Sequence, residues 1–290
     1  MSTLKKLGYP ENTKLLIIHA DDAGLSHAEN QATIQALQEG SVNSTSIMVP
    51  CPWFGEMADF AAKHEQYDYG IHLTLTCEWK HYKWGPILSK TEVPGLLDEN
   101  GYLHNNRENF KNNTSSEEIK KELQAQIERA LQSGLKPTHL DSHMYTLGLK
   151  PEFIKIYKEL GAAYKLPILL SKQLIEFLGL DPNLYISNDD FCVDNVFLGN
   201  YADFEKGQLE AYYERVLDNL PTGLNIVLIH TAFDVPEMQG IAIDHPNFGA
   251  EWRQIDYDFF TSQKCQSKIE NNGIKLITWR EIRDILYPEG

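Results

Sequence analysis

The sequence predicts an α/β protein, a single TIM-like (β/α) barrel of seven or eight strands that is either regular or distorted. Two observations favour this fold. Apolar runs typical of buried strands alternate with amphipathic helical patterns, and no internal repeat or low-complexity linker divides the chain. The length of 290 residues also fits one barrel. We therefore expect a single domain over 1–290, with inserted loops at about 77–114 and 231–254.

The first elements follow from aliphatic runs and from helix-capping signals. Lys14-Leu-Leu-Ile-Ile-His-Ala20 predicts a strand that is buried on both faces. Ser26 and Glu29 have the spacing of a capping box at the start of a helix, which Gly40 ends. Before the first loop we expect strand 14–20, helix 27–39, strand 42–49, helix 54–64 and strand 69–76.

After the first loop, Ser115 and Glu118 repeat the capping-box spacing, and apolar residues at helical intervals continue to Gly134. The fourth strand ends at His143. Region 171–204 carries the weakest pattern. The remaining elements expected are helix 152–165, strand 167–170, a short strand near 184–187, helix 208–220, strand 224–230, helix 257–271 and strand 274–278.

The composition disfavours several partners and locations. A net charge of −15 argues against binding to nucleic acid or to an anionic membrane, because phosphate groups require clustered Lys and Arg. The first residues lack the apolar core of a signal peptide, and no stretch approaches the ~20 apolar residues of a membrane span. Scattered cysteines without a C-x-x-C pair indicate reduced thiols and a cytoplasmic protein: Cys51, Cys77, Cys192 and Cys265.

Polar residues stand at the ends of three predicted strands. Asp22 follows the first strand, His72 lies in the third, and His143 closes the fourth. A parallel barrel brings the carboxyl ends of its strands to one face, so these side chains should meet. One carboxylate and two imidazoles are typical ligands of a divalent metal ion that keeps positions open for water. The alternative for each histidine is a hydrogen-bonded place in the core or in a loop.

Two further residues at strand ends suit proton transfer. Asp21 precedes Asp22, and neighbours on a regular strand point to opposite faces, so both reach one site only if the chain turns or bulges there. Gly24 favours such a turn. Asp21 is then a candidate base toward water, or alternatively a cap of the next turn. His230 suits a general acid for the leaving group, with structural burial as its alternative.

Three other residues near these strands receive supporting roles. His139, Asp141 and His143 alternate along one strand and share a face. We expect Asp141 to orient a metal ligand and His139 to be buried and hydrogen-bonded. His19 lies within the first strand, and we expect it to belong to the core.

The first loop contains a cluster of aromatic residues. Trp79, Tyr82 and Trp84 alternate with polar residues there. Aromatic faces of this kind can bind the C–H faces of a sugar, which makes the three residues candidates for substrate binding. The alternative is that they pack the loop onto the barrel.

Four ordered segments resemble the YdjC-like, or ChbG-type, carbohydrate deacetylases: Ile18-His-Ala-Asp-Asp-Ala-Gly-Leu-Ser26, Gly40-Ser-Val-Asn-Ser-Thr-Ser46, Gly70-Ile-His-Leu-Thr-Leu75 and Pro137-Thr-His-Leu-Asp-Ser-His143. The resemblance implies a (β/α) barrel with one Mg²⁺ or Zn²⁺ ion at Asp22, His72 and His143, and a base at Asp21. It also implies removal of acetyl groups from an N-acetylated saccharide, and a homodimer.

The sequence therefore supports three hypotheses, in this order. The first is a metal-dependent N-deacetylase of a sugar or oligosaccharide. The second is another metal-dependent hydrolase such as a phosphoesterase, which would favour two metal ions and more basic residues near the site. The third is a saccharide-binding protein that contains a metal ion but does not turn over its ligand.

Overall fold

The computed structural model describes residues 2–288, which form a parallel sheet of seven strands surrounded by helices. The ends of the expected domain, residues 1, 289 and 290, lie outside the described residues. The strands are β1 Lys14–Ala23, β2 Ser44–Ile47, β3 Tyr69–Leu73, β4 Leu140–Ser142, β5 Asn195–Leu198, β6 Gly223–Ile229 and β7 Lys275–Leu276. Their order is β4-β3-β2-β1-β6-β5, with β7 beside the start of β1.

Helices follow most strands and cover the outside of the sheet. Within residues 2–288, every helix is too short or too polar to cross a membrane. The helices are α1 Thr3–Lys6, α2 His27–Glu39, α3 Phe54–Lys63, α4 Arg107–Asn113, α5 Ser116–Gln132, α6 Pro151–Tyr164, α7 Lys172–Phe177, α8 Tyr201–Glu205, α9 Leu209–Asp218, α10 Pro236–Ile241, α11 Ala250–Thr261, α12 Gln263–Asn271 and α13 Trp279–Leu286.

Backbone hydrogen bonds continue around the sheet and make it a distorted barrel, as the sequence predicts. The two outer strands, β4 and β5, are joined through segment 167–170. Leu169 N donates to Leu140 O at 3.0 Å, and Val193 N donates to Leu170 O at 2.9 Å. Segment 167–170 contributes a single bridge to β4 instead of the full strand that we expected. Segment 167–170 is therefore the part of the barrel wall with the least regular strand pairing.

The interior of the barrel changes from apolar to charged along β1. Successive side chains of a strand point to opposite faces, and alternate residues share a face. Leu15 and Ile17 pack in one buried cluster with β6 and with helices α1 and α13. Farther along the same face come His19 and Asp21, both buried. The carboxyl ends of the strands therefore meet at the charged end of the barrel.

Most predicted elements are confirmed to within a few residues, but two predictions besides strand 167–170 are wrong. Residues Pro182–Leu184 form a 3₁₀ turn where we expected a strand near 184–187, and the strand of this region is β5. Val196 is buried in β5, whereas its other residues are partly buried or exposed, so the short run Val196-Phe-Leu198 is not a long apolar run typical of a core strand. The expected helix 257–271 is two helices, because Ser262 ends α11 and its side chain caps α12.

The two inserted loops contain short helices that the sequence pattern did not predict. Helix α4 lies within 77–114, and helix α10 and the start of α11 lie within 231–254. The first loop is anchored to α5 by a buried carboxylate, since Glu122 accepts hydrogen bonds from the amides of Ile87 and Leu88. These loops follow the carboxyl ends of β3 and β6, at the charged end of the barrel.

Gly70 is required because β3 passes directly against the ring of His139. A Cβ atom at residue 70 would lie 2.3 Å from His139 Nε2. The ring is fully buried and stacked on Trp279, with 5.0 Å between ring centroids, so it cannot move aside. Gly70→Ala should therefore lower the free energy of unfolding by about 1–3 kcal/mol, measured by urea denaturation.

Gly55→Ala is the matched control. Gly55 lies in α3, and a Cβ atom there would meet nothing within 4 Å among the described residues. Alanine is the better helix former, so this variant should be neutral or more stable by up to about 1 kcal/mol. Equal unfolding midpoints for Gly70→Ala and the wild type would contradict the packing argument.

Candidate active site

A left-handed backbone conformation brings two neighbouring carboxylates into one site. Asp22 has φ +67°, and the pairing register between β1 and β2 shifts between Ala20 and Ala23. The turn that we expected at this point is therefore confirmed. As a result, Asp21 and Asp22 both lie close to His72, with Asp21 Oδ1 at 3.9 Å from Nδ1 and Asp22 Oδ1 at 3.3 Å from Nε2.

Asp22, His72 and His143 present three ligand atoms as a nearly equilateral triangle. His143 Nδ1 lies 3.2 Å from Asp22 Oδ1 and 3.3 Å from His72 Nε2. His72 Nε2 lies 3.3 Å from the same carboxylate oxygen. Ligand atoms about 2.1 Å from a tetrahedral ion are roughly 3.4 Å apart, so the triangle has the size of one face of such a site.

The hydrogen bonds of this triangle are incomplete in a way that fits a metal ion. Asp22 Oδ1 is buried and has no hydrogen-bond partner among residues 2–288. A buried carboxylate oxygen without a partner is costly, and its two nearest polar neighbours are ring nitrogens. An oxygen and two nitrogens, all aimed at one point, form a suitable donor set for a divalent cation.

The outer atoms of the same residues are fixed by hydrogen bonds. His72 Nδ1 donates to Asp141 Oδ1 at 2.9 Å, and Ser46 Oγ donates to Asp141 Oδ2 at 2.7 Å. His143 Nε2 donates to Glu78 Oε2 at 2.9 Å. In the neutral rings, these partners place the protons on the outer nitrogens, which leaves the inner nitrogens free to bind an ion.

The cluster concentrates negative charge around two buried imidazoles. Burial alone would lower the pKa of His143, but the carboxylates of Glu78 and Asp22 raise it to about 9. Burial likewise opposes the charged form of His72, yet Asp141 and Asp21 raise its pKa well above the usual value. The field that favours an imidazolium here also favours a metal cation.

Asp22 stays ionised despite its burial. Desolvation raises its pKa, but Arg253 and the two histidines of the triangle hold the pKa well below its usual value. Arg253 Nη2 donates to Asp22 Oδ2 at 2.8 Å. The side chain therefore offers a carboxylate at any pH near neutrality.

Asp21 lies beside the triangle, between two histidines. His19 Nε2 is 3.1 Å from Asp21 Oδ1 and 2.9 Å from Asp141 Oδ2. Although burial opposes it, hydrogen bonds to these carboxylates raise the pKa of His19 to about 9. His19 is thus more than the core residue that we expected, because it connects Asp21 to Asp141, the partner of His72.

His230 reaches the other oxygen of Asp21. Its Nε2 lies 3.9 Å from Asp21 Oδ2 and 3.9 Å from Asp22 Oδ2. The ring packs on Phe248, with 4.9 Å between centroids, and Nδ1 has no hydrogen-bond partner in the part of the chain that the structure describes. Burial, aided by the nearby charge of Arg253, lowers the pKa of His230 to about 4, so this ring is neutral at pH 7.

His139 is separated from the triangle, in agreement with the sequence prediction. It is fully buried, its Nδ1 lies 2.9 Å from Thr138 Oγ1, and its ring stacks on Trp279. A Cβ atom at residue 70 would lie 2.3 Å from its Nε2, so β3 packs directly against the ring. His139 lies close enough to His19 and Asp141 for the three to hold an ion, but the packing of its ring favours the structural role that we expected.

Two of the three aromatic residues proposed for sugar binding are buried. Trp79 is 1% exposed and packs between His245 and Arg253, and Trp84 is 3% exposed. Neither can present an open face to a ligand, so the packing alternative is correct for both. Tyr82 is half-buried, and its hydroxyl donates to Leu25 O at 2.7 Å.

Three residues of the site were missed by sequence reasoning. Glu78, Glu29 and Arg253 hold the candidate ligands or their partners, yet none follows an apolar run that would mark it. Glu29 did give a signal, the capping-box spacing. Ser26 does cap α2, but the carboxylate of Glu29 accepts from Arg253 Nη1 at 2.8 Å.

The sequence is similar to proteins of one family over most of its length. The sequence model of the family described as YdjC-like protein matches residues 15–271. A carbohydrate deacetylase of Thermus thermophilus is 31% identical, over 99% of this chain and 100% of its own length. A carbohydrate deacetylase of Thermoanaerobacter pseudethanolicus is 26% identical, over 92% of this chain and 98% of its own.

A solved structure shares the fold. A protein of Enterococcus faecalis V583, described as a cellobiose-phosphate cleavage protein, matches with a TM-score of 0.74 at 26% identity. The match covers 93% of this chain and 99% of that one. The resemblance predicted from four ordered segments is confirmed.

Metal uptake should release protons at neutral pH. With its pKa at about 9, His143 is protonated at pH 7 in the metal-free protein, and only the neutral ring can bind an ion. Apparent affinity should therefore rise with pH from 7 through about 9, the pKa of His143. Titration calorimetry at pH 7 in buffers of different ionisation enthalpy measures the released protons. Equal heats in all buffers would contradict this expectation.

Proposed function

The chain belongs to the YdjC-like family, and on that premise we propose that it is a carbohydrate deacetylase, which hydrolyses the acetamide of an N-acetylated sugar or oligosaccharide. The observation that carries this proposal is the triangle of Asp22, His72 and His143, with Asp21 and His230 beside it. Both relatives at 31% and 26% identity are carbohydrate deacetylases. We take residues 1–290 as one barrel domain.

Asp22, His72 and His143 are the residues that would hold the metal ion, and Asp141 would orient His72. We propose Zn²⁺ or Mg²⁺; the two imidazoles favour Zn²⁺, because Mg²⁺ prefers oxygen ligands. When bound, the ion supplies a Lewis acid for the acetamide carbonyl and lowers the pKa of water.

Asp21 is the proposed base. Its carboxylate accepts a proton from the water that attacks the carbonyl carbon. His19 fixes the carboxylate from inside the barrel at 3.1 Å, so that Oδ2 remains on the side of His230. Asp21 is also more exposed than Asp22, at 8% against 2%, which suits exchange of protons with a water molecule.

His230 is the proposed acid for the departing amine. Because its lowered pKa leaves the ring neutral at pH 7, it must acquire its proton during the reaction. Asp21 Oδ2, 3.9 Å from His230 Nε2, is the nearest source, since it has just taken a proton from water. One proton then passes from water to Asp21 to His230 and on to the amine, which balances the hydrolysis.

The saccharide and the cellular location are further parts of the proposal. Tyr82 is the one aromatic residue of the original three that retains partial exposure, and we assign it alone to sugar contact. Cys51, Cys77, Cys192 and Cys265 are free thiols, which supports a cytoplasmic location.

Asp21→Asn tests the base. The amide cannot accept the proton, so kcat for acetate release should fall by about 10²–10⁴-fold. The affinity for the metal ion should stay within about threefold of the wild type, because Asp21 is outside the triangle. In contrast, His143→Ala should lose the ion. Acetate release from a panel of N-acetylated mono- and oligosaccharides, with metal content from elemental analysis, measures both effects.

Asp59→Asn is the control for a lost carboxylate. Asp59 lies on the surface in α3, paired with Lys63, and its replacement should leave the rate unchanged. A wild-type rate in Asp21→Asn would remove Asp21 from the chemistry. Tight saccharide binding without acetate release by the metal-loaded wild type would favour a sugar-binding protein, and about two ions per chain with phosphate release would favour a phosphoesterase.

A further inference from the structure

Arg253 is a deeply buried cation of the site. It is 1% exposed, and its guanidinium makes three hydrogen bonds. Nη2 donates to Asp22 Oδ2 at 2.8 Å, Nη1 donates to Glu29 Oε2 at 2.8 Å, and Nε donates to Phe248 O at 2.7 Å. The guanidinium also lies over the ring of Trp79, at 5.4 Å from its centroid.

These contacts fix the guanidinium from four directions. Glu29 belongs to α2, Phe248 to the loop before α11, and Trp79 to the first inserted loop. A planar fork held in this way cannot rotate or withdraw without breaking several buried contacts. Arg253 is therefore a rigid support and not a mobile surface charge.

The two oxygens of Asp22 consequently have different surroundings. Oδ2 is bound by Arg253, whereas Oδ1 faces His72 Nε2 and His143 Nδ1 at 3.3 and 3.2 Å. Oδ1 has no hydrogen-bond partner within residues 2–288. Rotation of the carboxylate would move Oδ2 into the triangle and break its bond to the guanidinium.

We propose that Arg253 is the positioning residue of Asp22: by holding Oδ2, it presents Oδ1 alone to the metal site, so that Asp22 binds the ion through one oxygen. This inference rests on the proposed metal set. Arg253 acts through Asp22 and not on the saccharide, because a side chain that is 1% exposed cannot contact a substrate.

The test is metal affinity in the full-length protein, stripped with a chelator and titrated calorimetrically with Zn²⁺. Arg253→Met alone leaves two buried carboxylates unpaired and can fail to fold. The informative variant is therefore Glu29→Gln with Arg253→Met, which replaces both members of the buried pair by uncharged side chains. Arg253→Lys, which keeps a cation but loses the fork, is the second variant. Thermal unfolding and circular dichroism verify that each variant is folded.

Two further variants are matched to these. Glu29→Gln alone, which keeps the bond between Arg253 and Asp22, measures the contribution of Glu29 and separates it from that of Arg253. Arg215→Met removes an exposed arginine that pairs with Asp203 and should bind Zn²⁺ within about twofold of the wild type. The double variant should bind about 10–100-fold more weakly, and Arg253→Lys should be weakened by a smaller factor.

The outcomes separate the positioning role from the metal set itself. Unchanged or tighter Zn²⁺ binding in the folded double variant overturns the positioning role and leaves the metal set standing. If the wild-type protein binds neither Zn²⁺ nor Mg²⁺, the metal set is wrong and the positioning role falls with it. A raised KM for the saccharide with unchanged metal affinity would make Arg253 a substrate contact and also overturn the proposal.

Discussion

The left-handed conformation of Asp22 is the constraint on which the site depends. A regular strand would direct Asp21 and Asp22 to opposite faces. With φ at +67°, the chain turns within the strand, and pairing with β2 resumes at Ala23 and Ile47. Left-handed backbone costs a non-glycine residue of the order of 1 kcal/mol, and aspartate tolerates it better than most. The buried contacts of Asp22 with Arg253 and two histidines offset this strain, so side-chain chemistry and backbone conformation support each other.

Several charged side chains are buried at the same end of the barrel, and cationic groups lie between carboxylates there. His19 lies between Asp21 and Asp141, and Arg253 lies between Asp22 and Glu29. Each buried ion costs several kcal/mol unless partners compensate it, so removal of one member leaves its neighbours uncompensated. The arrangement therefore contributes little net stability. What it provides is a set of donors and acceptors that is already oriented before a ligand arrives.

Sequence reasoning found the parts of the site that follow from topology and missed those that follow from packing. Asp22, His72 and His143 stand at strand ends, and a parallel sheet gathers such residues whatever their distance in the sequence. Arg253 lies in a helix and Glu78 in a loop. In neither place does the spacing of apolar residues predict that the side chain points toward the site. The burial of Trp79 and Trp84 was equally hidden, because an aromatic run in a loop has the same pattern whether it is open or packed. Strand β5 was missed because it is half-exposed.

The different roles proposed for Asp21 and Asp22 arise from the residues that contact them, since the two side chains are chemically identical. Asp22 is held by a guanidinium that cannot lose its proton, and its pKa lies well below the usual value, so it remains a carboxylate throughout any reaction near neutral pH. Asp21 is contacted instead by His19 and His230, two groups that can exchange protons, and it retains some exposure to solvent. A carboxylate that stays ionised is suited to binding a cation. A carboxylate whose neighbours can exchange protons with it is suited to proton transfer. Two identical side chains, adjacent in sequence, are thereby suited to separate roles in the proposed mechanism.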